Sequence, residues 1–270
     1  QFTLPLKTII IQHKNERKGK STAIHAKILC PQSVEICEYP NIPQELVDHA
    51  SNAVLLYPSA DAITVEEVIR RNSFYQKNFV GEIVTGGETD KNLEPQQQEI
   101  KYVVFIDSTW QQSKSIFRDE RLSKLTRCKI MSQKTKFWRH QQHGEEFLAT
   151  IEAIYYFFKE YQIEINKLKN LKAKAQNQSE ASTSNGESAV SLYDGEFDDL
   201  LFFYAFQYDL IQRHYKEHPD LKFTEKKGEN YIKYDEAKDK NNKRQATEQQ
   251  PNSGDEVVDD TQSPNKKIKL

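Results

Sequence analysis

The chain has 270 residues, 37% hydrophobic and 29% charged, with a formal net charge of −2. That length suits one sizeable domain with tails, or two small ones, and no stretch reaches the ~18 consecutive apolar residues that a membrane-spanning helix needs. Three scattered cysteines, Cys30, Cys37 and Cys128, make neither a disulfide framework nor the paired spacing of a zinc site, and they suit a reducing compartment. No metal is expected. The chain opens on Gln1 and its one methionine is Met131, so it is expected to be a piece of a longer protein.

In chain order, Leu6–Gln12 (LKTIIIQ) reads as a first strand. A polar stretch from His13 through Glu16 and the basic Arg17–Lys20 follow, and then Ser21 and Thr22, either of which can cap a helix through Leu29. Val34–Tyr39 reads as a short strand broken by Pro40 and Pro43, and Asn52–Tyr57 as a buried strand stopped by Pro58. Thr64–Arg71 reads as a helix capped by Thr64, with Glu66 and Glu67 early and Arg70 and Arg71 late, the order the helix dipole favours. Residues 81–98 read as a polar linker or insertion; their Gly86-Gly87 lacks the Lys-Ser/Thr of a phosphate loop.

Lys101–Phe117 is the most informative stretch. Tyr102–Ile106 is a continuous apolar run rich in β-branched and aromatic residues, as in a strand covered on both faces. It ends at Asp107, and from Trp110 the apolar spacing becomes helical. A carboxylate, two hydroxyls and an indole thus sit where a buried strand passes into a helix, the place where open α/β sheets bind ligands. The same residues admit a plainer role: Asp107 or Ser108 as helix cap, Trp110 as core filler.

From Lys114 to Arg139 the chain carries nine basic residues, namely Lys114, Arg118, Arg121, Lys124, Arg127, Lys129, Lys134, Lys136 and Arg139, against Asp119 and Glu120. Phe117, Phe137 and Trp138 are interleaved. Such charge attracts phosphates and flat side chains can stack on an unpaired base; the plainer reading is a solvated charged face. RNA binding is expected of Lys114, Arg118, Arg121, Lys124, Arg127, Lys134, Lys136 and His140. Within this stretch Arg127–Met131 reads as a strand. A polar loop, 132–146, feeds an amphipathic helix with Ile151, Ile154, Tyr155 and Phe158 inward and Thr150 at its start. Residues 172–191 read as an exposed low-complexity insertion. A second aromatic helix follows Asp198-Asp199, with Leu200, Phe203, Tyr204, Tyr208, Ile211 and Tyr215 on one face. The composition of residues 224–270 predicts a disordered charged tail ending in a basic cluster, Lys266–Lys269, of the kind that favours the nucleus over the cytoplasm. Strands alternating with helices predict a layered α/β domain over residues 1–223.

Asp107-Ser108-Thr109-Trp110 resembles the DXTW signature of the DTW-domain tRNA-uridine aminocarboxypropyltransferases, in their eukaryotic branch. The resemblance extends over roughly residues 4–215 and includes Phe105–Trp110, Asp119–Leu122, Phe137–Gln141, Thr150–Phe157 and Leu201–Tyr204. It implies a SPOUT-like layered fold with a C-terminal trefoil knot, S-adenosyl-L-methionine as donor, and transfer of its 3-amino-3-carboxypropyl group to N3 of a tRNA uridine, in the D-loop, with release of 5′-methylthioadenosine. A SPOUT-type methyltransferase and a non-catalytic tRNA-binding protein are the alternatives. The resemblance implies that Ile106, Ser108, Thr109, Leu148, Ala149 and Thr150 meet the cofactor. Ala149 stands where a serine is common, so a hydroxyl contact is lost there. Asp107 is the candidate base for uridine N3. Arg139 suits a carboxylate or a phosphate. Trp110 can pack on adenine or base, or brace its loop. Lys14 stands in the proline position of a His-Pro-x-Glu stretch, after which Glu16, Ser21 and Thr22 are candidates to line the site. The cysteine-rich, zinc-ribbon-like segment usual in the family has no match here.

Overall fold

The computed structural model describes residues 2–16, 19, 21–72, 99–137, 146–179 and 191–218. Six strands form one sheet: β1 (Lys7–Gln12), β2 (Val34–Glu38), β3 (Ala53–Leu56), β4 (Ile63–Thr64), β5 (Tyr102–Asp107) and β6 (Thr126–Lys129). Their order across the sheet is β2-β1-β5-β3-β6-β4, and every pairing is parallel. The helices are α1 (Ala23–Leu29), α2 (Gln44–Asp48), α3 (Val65–Arg71), α4 (Trp110–Phe117), α5 (Glu120–Ser123), α6 (Thr150–Ser179) and α7 (Phe202–Glu217).

Successive residues of a strand point to opposite faces, and both faces of this sheet are covered. Ile10, Val54, Val103 and Phe105 pack with α1, α3 and the aromatic face of α6. Ile9, Ile11, Leu55 and Val104 pack instead with Leu46 of α2, Ile116 of α4 and Leu122 of α5. The continuous apolar runs of β1 and β5 follow from this double burial, which leaves no face for polar residues.

Several local expectations hold. Thr64 caps α3, accepting from the Glu67 N–H at 3.2 Å. Glu67 bridges Arg70 and Arg71 at 2.7 and 2.5 Å. The face of α7 that carries Tyr204 is inward. Others change. Residues 172–179, read as insertion, continue α6, because their Lys, Ala and Gln favour helix even after the helix has left the core. β6 stops at Lys129, and the Met131 N–H turns to the Glu160 carboxylate at 2.8 Å. The two-residue β4 gains its strand geometry only by pairing with β6. A 3-10 turn, Asp198–Leu201, precedes α7. Residues 81–98, 180–190 and 224–270 lie outside the described residues. So does part of the path, at 138–145, that would decide a knot.

In register, Gln12 at the end of β1 faces Asp107 at the end of β5. β1 leads leftward to β2, whereas β5 enters between β1 and β3. Connections diverge at that point, which leaves a crevice at the carboxyl ends of these two strands.

Candidate active site

The turn after β5 is set by Thr109, the N-cap of α4, in a capping box with Gln112; the Thr109 N–H donates to Gln112 Oε1 at 3.1 Å. Neither Asp107 nor Ser108 therefore caps the helix. Ser108 Oγ donates to the neighbouring Thr109 carbonyl at 3.2 Å. The cap falls on Thr109 because its backbone is extended there, leaving Asp107 as the last residue of the strand, its carboxylate among Gln12, Ser21 and Thr150.

Asp107 is 4% exposed. Its Oδ2 accepts from Ser21 Oγ at 2.6 Å and Gln12 Nε2 at 2.8 Å, and its Oδ1 from Thr150 Oγ1 at 2.6 Å. Three donors come from three places: the end of β1, the approach to α1, and the first residue of α6. Hydrogen bonds to an ionised acceptor are the short, strong kind, so this carboxylate fastens those segments together. A carboxylate offers about four lone-pair sites; Oδ1, which among the described residues accepts from Thr150, keeps room for another proton. Around it, Gln12 Nε2 also donates to Ser21 Oγ at 3.2 Å, and the Ala23 N–H donates to the same oxygen at 3.2 Å.

At the start of α6 the Ile151 N–H donates to Thr22 Oγ1 at 3.1 Å, and the Ala149 N–H to Glu152 at 2.8 Å. Glu152 is 2% exposed and holds a second segment as well. It accepts from Thr135 Oγ1 at 2.6 Å and from the Lys136 N–H at 2.7 Å. The loop after β6 is thereby attached to the same helical turn that carries Thr150. Of the candidates by resemblance, Ser21 bonds Asp107 and Thr22 bonds the Ile151 N–H, whereas Glu16 lies in the loop after β1, its N–H on the His13 carbonyl at 2.8 Å. Ile106, Leu148, Ala149 and Thr150 are all partly exposed.

Trp110 is partly exposed at the start of α4. Its ring is edge-on to Phe147, centroids 4.8 Å apart, and tilted against Tyr57 at 6.4 Å. Tyr57 stacks on Phe117 at 4.1 Å, and the Arg127 guanidinium lies 4.9 Å above the other side of that cluster, over Phe117. Trp110 thus braces the loop at Phe147 while keeping surface toward solvent.

Among the described residues, the basic side chains of this run lie at both ends of β6. Arg121 is bound to Asp119 at 2.8 Å and donates to the Pro40 carbonyl at 3.1 Å; its guanidinium holds the Asp119 carboxyl down to about 2. Arg127 is paired with Asp61. Lys124 precedes β6, at its amino end, whereas Lys129, Lys134 and Lys136 follow at the carboxyl end, on the Asp107 side. Lys114 lies one turn beyond Trp110, and Arg118 at the end of α4; both are exposed. Arg139 and His140 lie outside the described residues.

Gln12 and Glu152 are site residues that sequence patterns missed. The signal for Gln12 was a polar residue ending an apolar strand. For Glu152 it was a carboxylate three residues after Ala149, the spacing of a capping box, in an otherwise apolar stretch. No helix among the described residues is long and apolar enough to cross a membrane.

A profile of the family described as the DTW domain matches residues 1–212. Proteins named tRNA-uridine aminocarboxypropyltransferase 1 from Mus musculus and Homo sapiens are each 38% identical, over 230 and 228 residues, in both cases 77% of this chain and 66% of the relative. The Xenopus laevis protein of that name is 35% identical over 224 residues, 77% of this chain and 68% of the relative. The chain thus spans 66% of the length of the first two. Among solved structures, the SAM-dependent rRNA:acp-transferase Tsr3 from Vulcanisaeta distributa aligns with a TM-score of 0.34 and 12% identity, over 76% of this chain and 82% of that one.

Proposed function

Because the chain belongs to the DTW-domain family, we propose that it is a tRNA-uridine aminocarboxypropyltransferase, moving the 3-amino-3-carboxypropyl group of S-adenosyl-L-methionine to N3 of a tRNA uridine, in the D-loop. A SPOUT-like arrangement with a trefoil knot belongs to the same reading. The observation that carries it is the Asp107 carboxylate, inside the Asp-Ser-Thr-Trp element, fixed from three segments at the crevice between β1 and β5.

The residues present fit the donor. Partly exposed Trp110, Tyr57 and Phe147 offer flat apolar surface of the kind an adenine needs. The Ser108 hydroxyl bonds the Thr109 carbonyl next to it, and Leu148–Thr150 are partly exposed. When bound, the sulfonium makes its thioether a good leaving group, so displacement at the neighbouring carbon on the methionine side yields 5′-methylthioadenosine. The chain's own residues supply alignment and a base. Uridine N3–H is a weak acid, and a carboxylate within hydrogen-bond reach removes its proton as attack begins. Oδ1 of Asp107 has the capacity, and the Ser21, Gln12 and Thr150 donors fix its position, which converts a chance encounter into an oriented one. Lys129, Lys134 and Lys136, at the same end of the sheet, support contact with RNA phosphates.

The test is product analysis with unmodified tRNA and S-adenosyl-L-methionine. The expected products are 5′-methylthioadenosine and a uridine heavier by the aminocarboxypropyl group. S-adenosylhomocysteine would instead mean a methyltransferase. Neither product, with tRNA bound, would mean a binding protein.

A further inference from the structure

α7 is apolar on two sides. Its inner face packs Tyr204 into the core, with Leu200 of the preceding turn fully buried. On the outer side Phe202, Phe206 and Leu210 are 60%, 56% and 51% exposed, at successive helical turns. Beside the start of α7, where His25 of α1 meets the Phe203 ring at 6.0 Å, α1 presents Ile24 and Ile28, 42% and 50% exposed. Single exposed apolar residues need no explanation, but a stripe over consecutive turns marks an interaction surface. A helix with two apolar sides is made to be covered on both.

The charges at the ends of the stripe say what covers it. Phe202 lies four residues before Phe206 and Leu210 four after; Asp199 lies seven before and Arg213 seven after. Asp199 and Arg213 are both exposed. The sequence is therefore self-complementary about Phe206 when read against itself in reverse. In a two-fold contact, residue i meets j and j meets i. Crossing α7 with its own copy in antiparallel fashion at Phe206 sets Phe202 against Leu210 and Asp199 against Arg213, twice over. A parallel crossing would oppose aspartate to aspartate and arginine to arginine.

We infer that the outer face of α7 is a homodimer interface, occupied by the α7 of a second copy of this chain in antiparallel orientation, with Phe206 on the two-fold axis.

Sedimentation of the full chain over a roughly hundredfold concentration range tests this, since a dimer must appear by mass action. The wild type is expected to pass from monomer to dimer. Phe206→Glu is expected to stay monomeric throughout and to melt as the wild type does at concentrations where the wild type is monomeric, because the side chain is exposed. Asp199→Arg and Arg213→Asp, each alone, are expected to weaken association by roughly threefold or more by facing like charges. The two together are expected to restore it. This charge exchange decides the matter even if Phe206→Glu proves unstable. A wild type that remains monomeric, a dimer indifferent to Phe206→Glu, an exchange that fails to restore, or association only when tRNA is added would each overturn the inference.

Discussion

At Asp107 two roles meet in one carboxylate. It holds Gln12, Ser21 and Thr150 in place, and it is the proposed base. Asp107→Asn separates them. The amide can keep its oxygen toward Ser21 and Gln12 and donate toward the Thr150 hydroxyl, so the frame survives while the charge is lost. The expected cost in stability is about 1–2 kcal/mol, the charge-assisted part of those bonds. If the residue is the base, single-turnover rate falls by about 10²–10⁴-fold with tRNA affinity little changed, and raising the pH partly restores it as solvent takes over deprotonation. A rate near normal at neutral pH would leave Asp107 a fastening residue only. Asp107→Ala is a poor probe, because it strands three donors at once.

The first turn of α6 is the element on which the site depends. Through Thr150 and the Ile151 N–H it meets the β1–α1 side of the crevice, and through Glu152 it holds Thr135 and Lys136. Glu152→Gln replaces one acceptor by a donor inside a buried cluster where all three partners donate. The expected loss is about 1–3 kcal/mol, the cost of an unsatisfied buried group, seen as a lowered denaturation midpoint. Because the loop after β6 is released, tRNA affinity is expected to fall as well in protein that remains folded. An unchanged midpoint would mean that the Glu152 cluster has another acceptor at hand. α4 shows how a helix cap bears on chemistry: Thr109 and Gln112 satisfy the helix start between them, which leaves Asp107 to the crevice.

Across the whole molecule, the parallel sheet sorts the basic residues by which end of a strand they follow. Lys129 and Lys136 are at the carboxyl end with Asp107, and Lys124 is at the amino end of β6. The double variant Lys129→Ala with Lys136→Ala is expected to lower the log–log salt slope of tRNA binding by roughly 1–2, and Lys124→Ala to leave it unchanged. Equal effects would place the RNA surface across both ends of the sheet. Arg121 and Arg127, by contrast, already serve the fold through Asp119 and Asp61, so their loss confounds stability with binding.

Local pattern was enough for the buried strands β1, β3 and β5, the capped helix α3 and the inward faces of α6 and α7, because burial periodicity and cap chemistry are written in neighbouring residues. The Asp-Ser-Thr-Trp element drew attention to Asp107 for the same reason. What Asp107 touches was not legible there: its partners are 95, 86 and 43 residues away, and no periodicity encodes a pairing at that separation. Only the strand order, which brings β5 beside β1, and the return of α6 over the sheet bring those donors together. The division of the basic run followed from the same cause. Charges adjacent in sequence separate when the chain between them turns through α4 and α5 and crosses the sheet as β6, a path that tertiary packing alone decided.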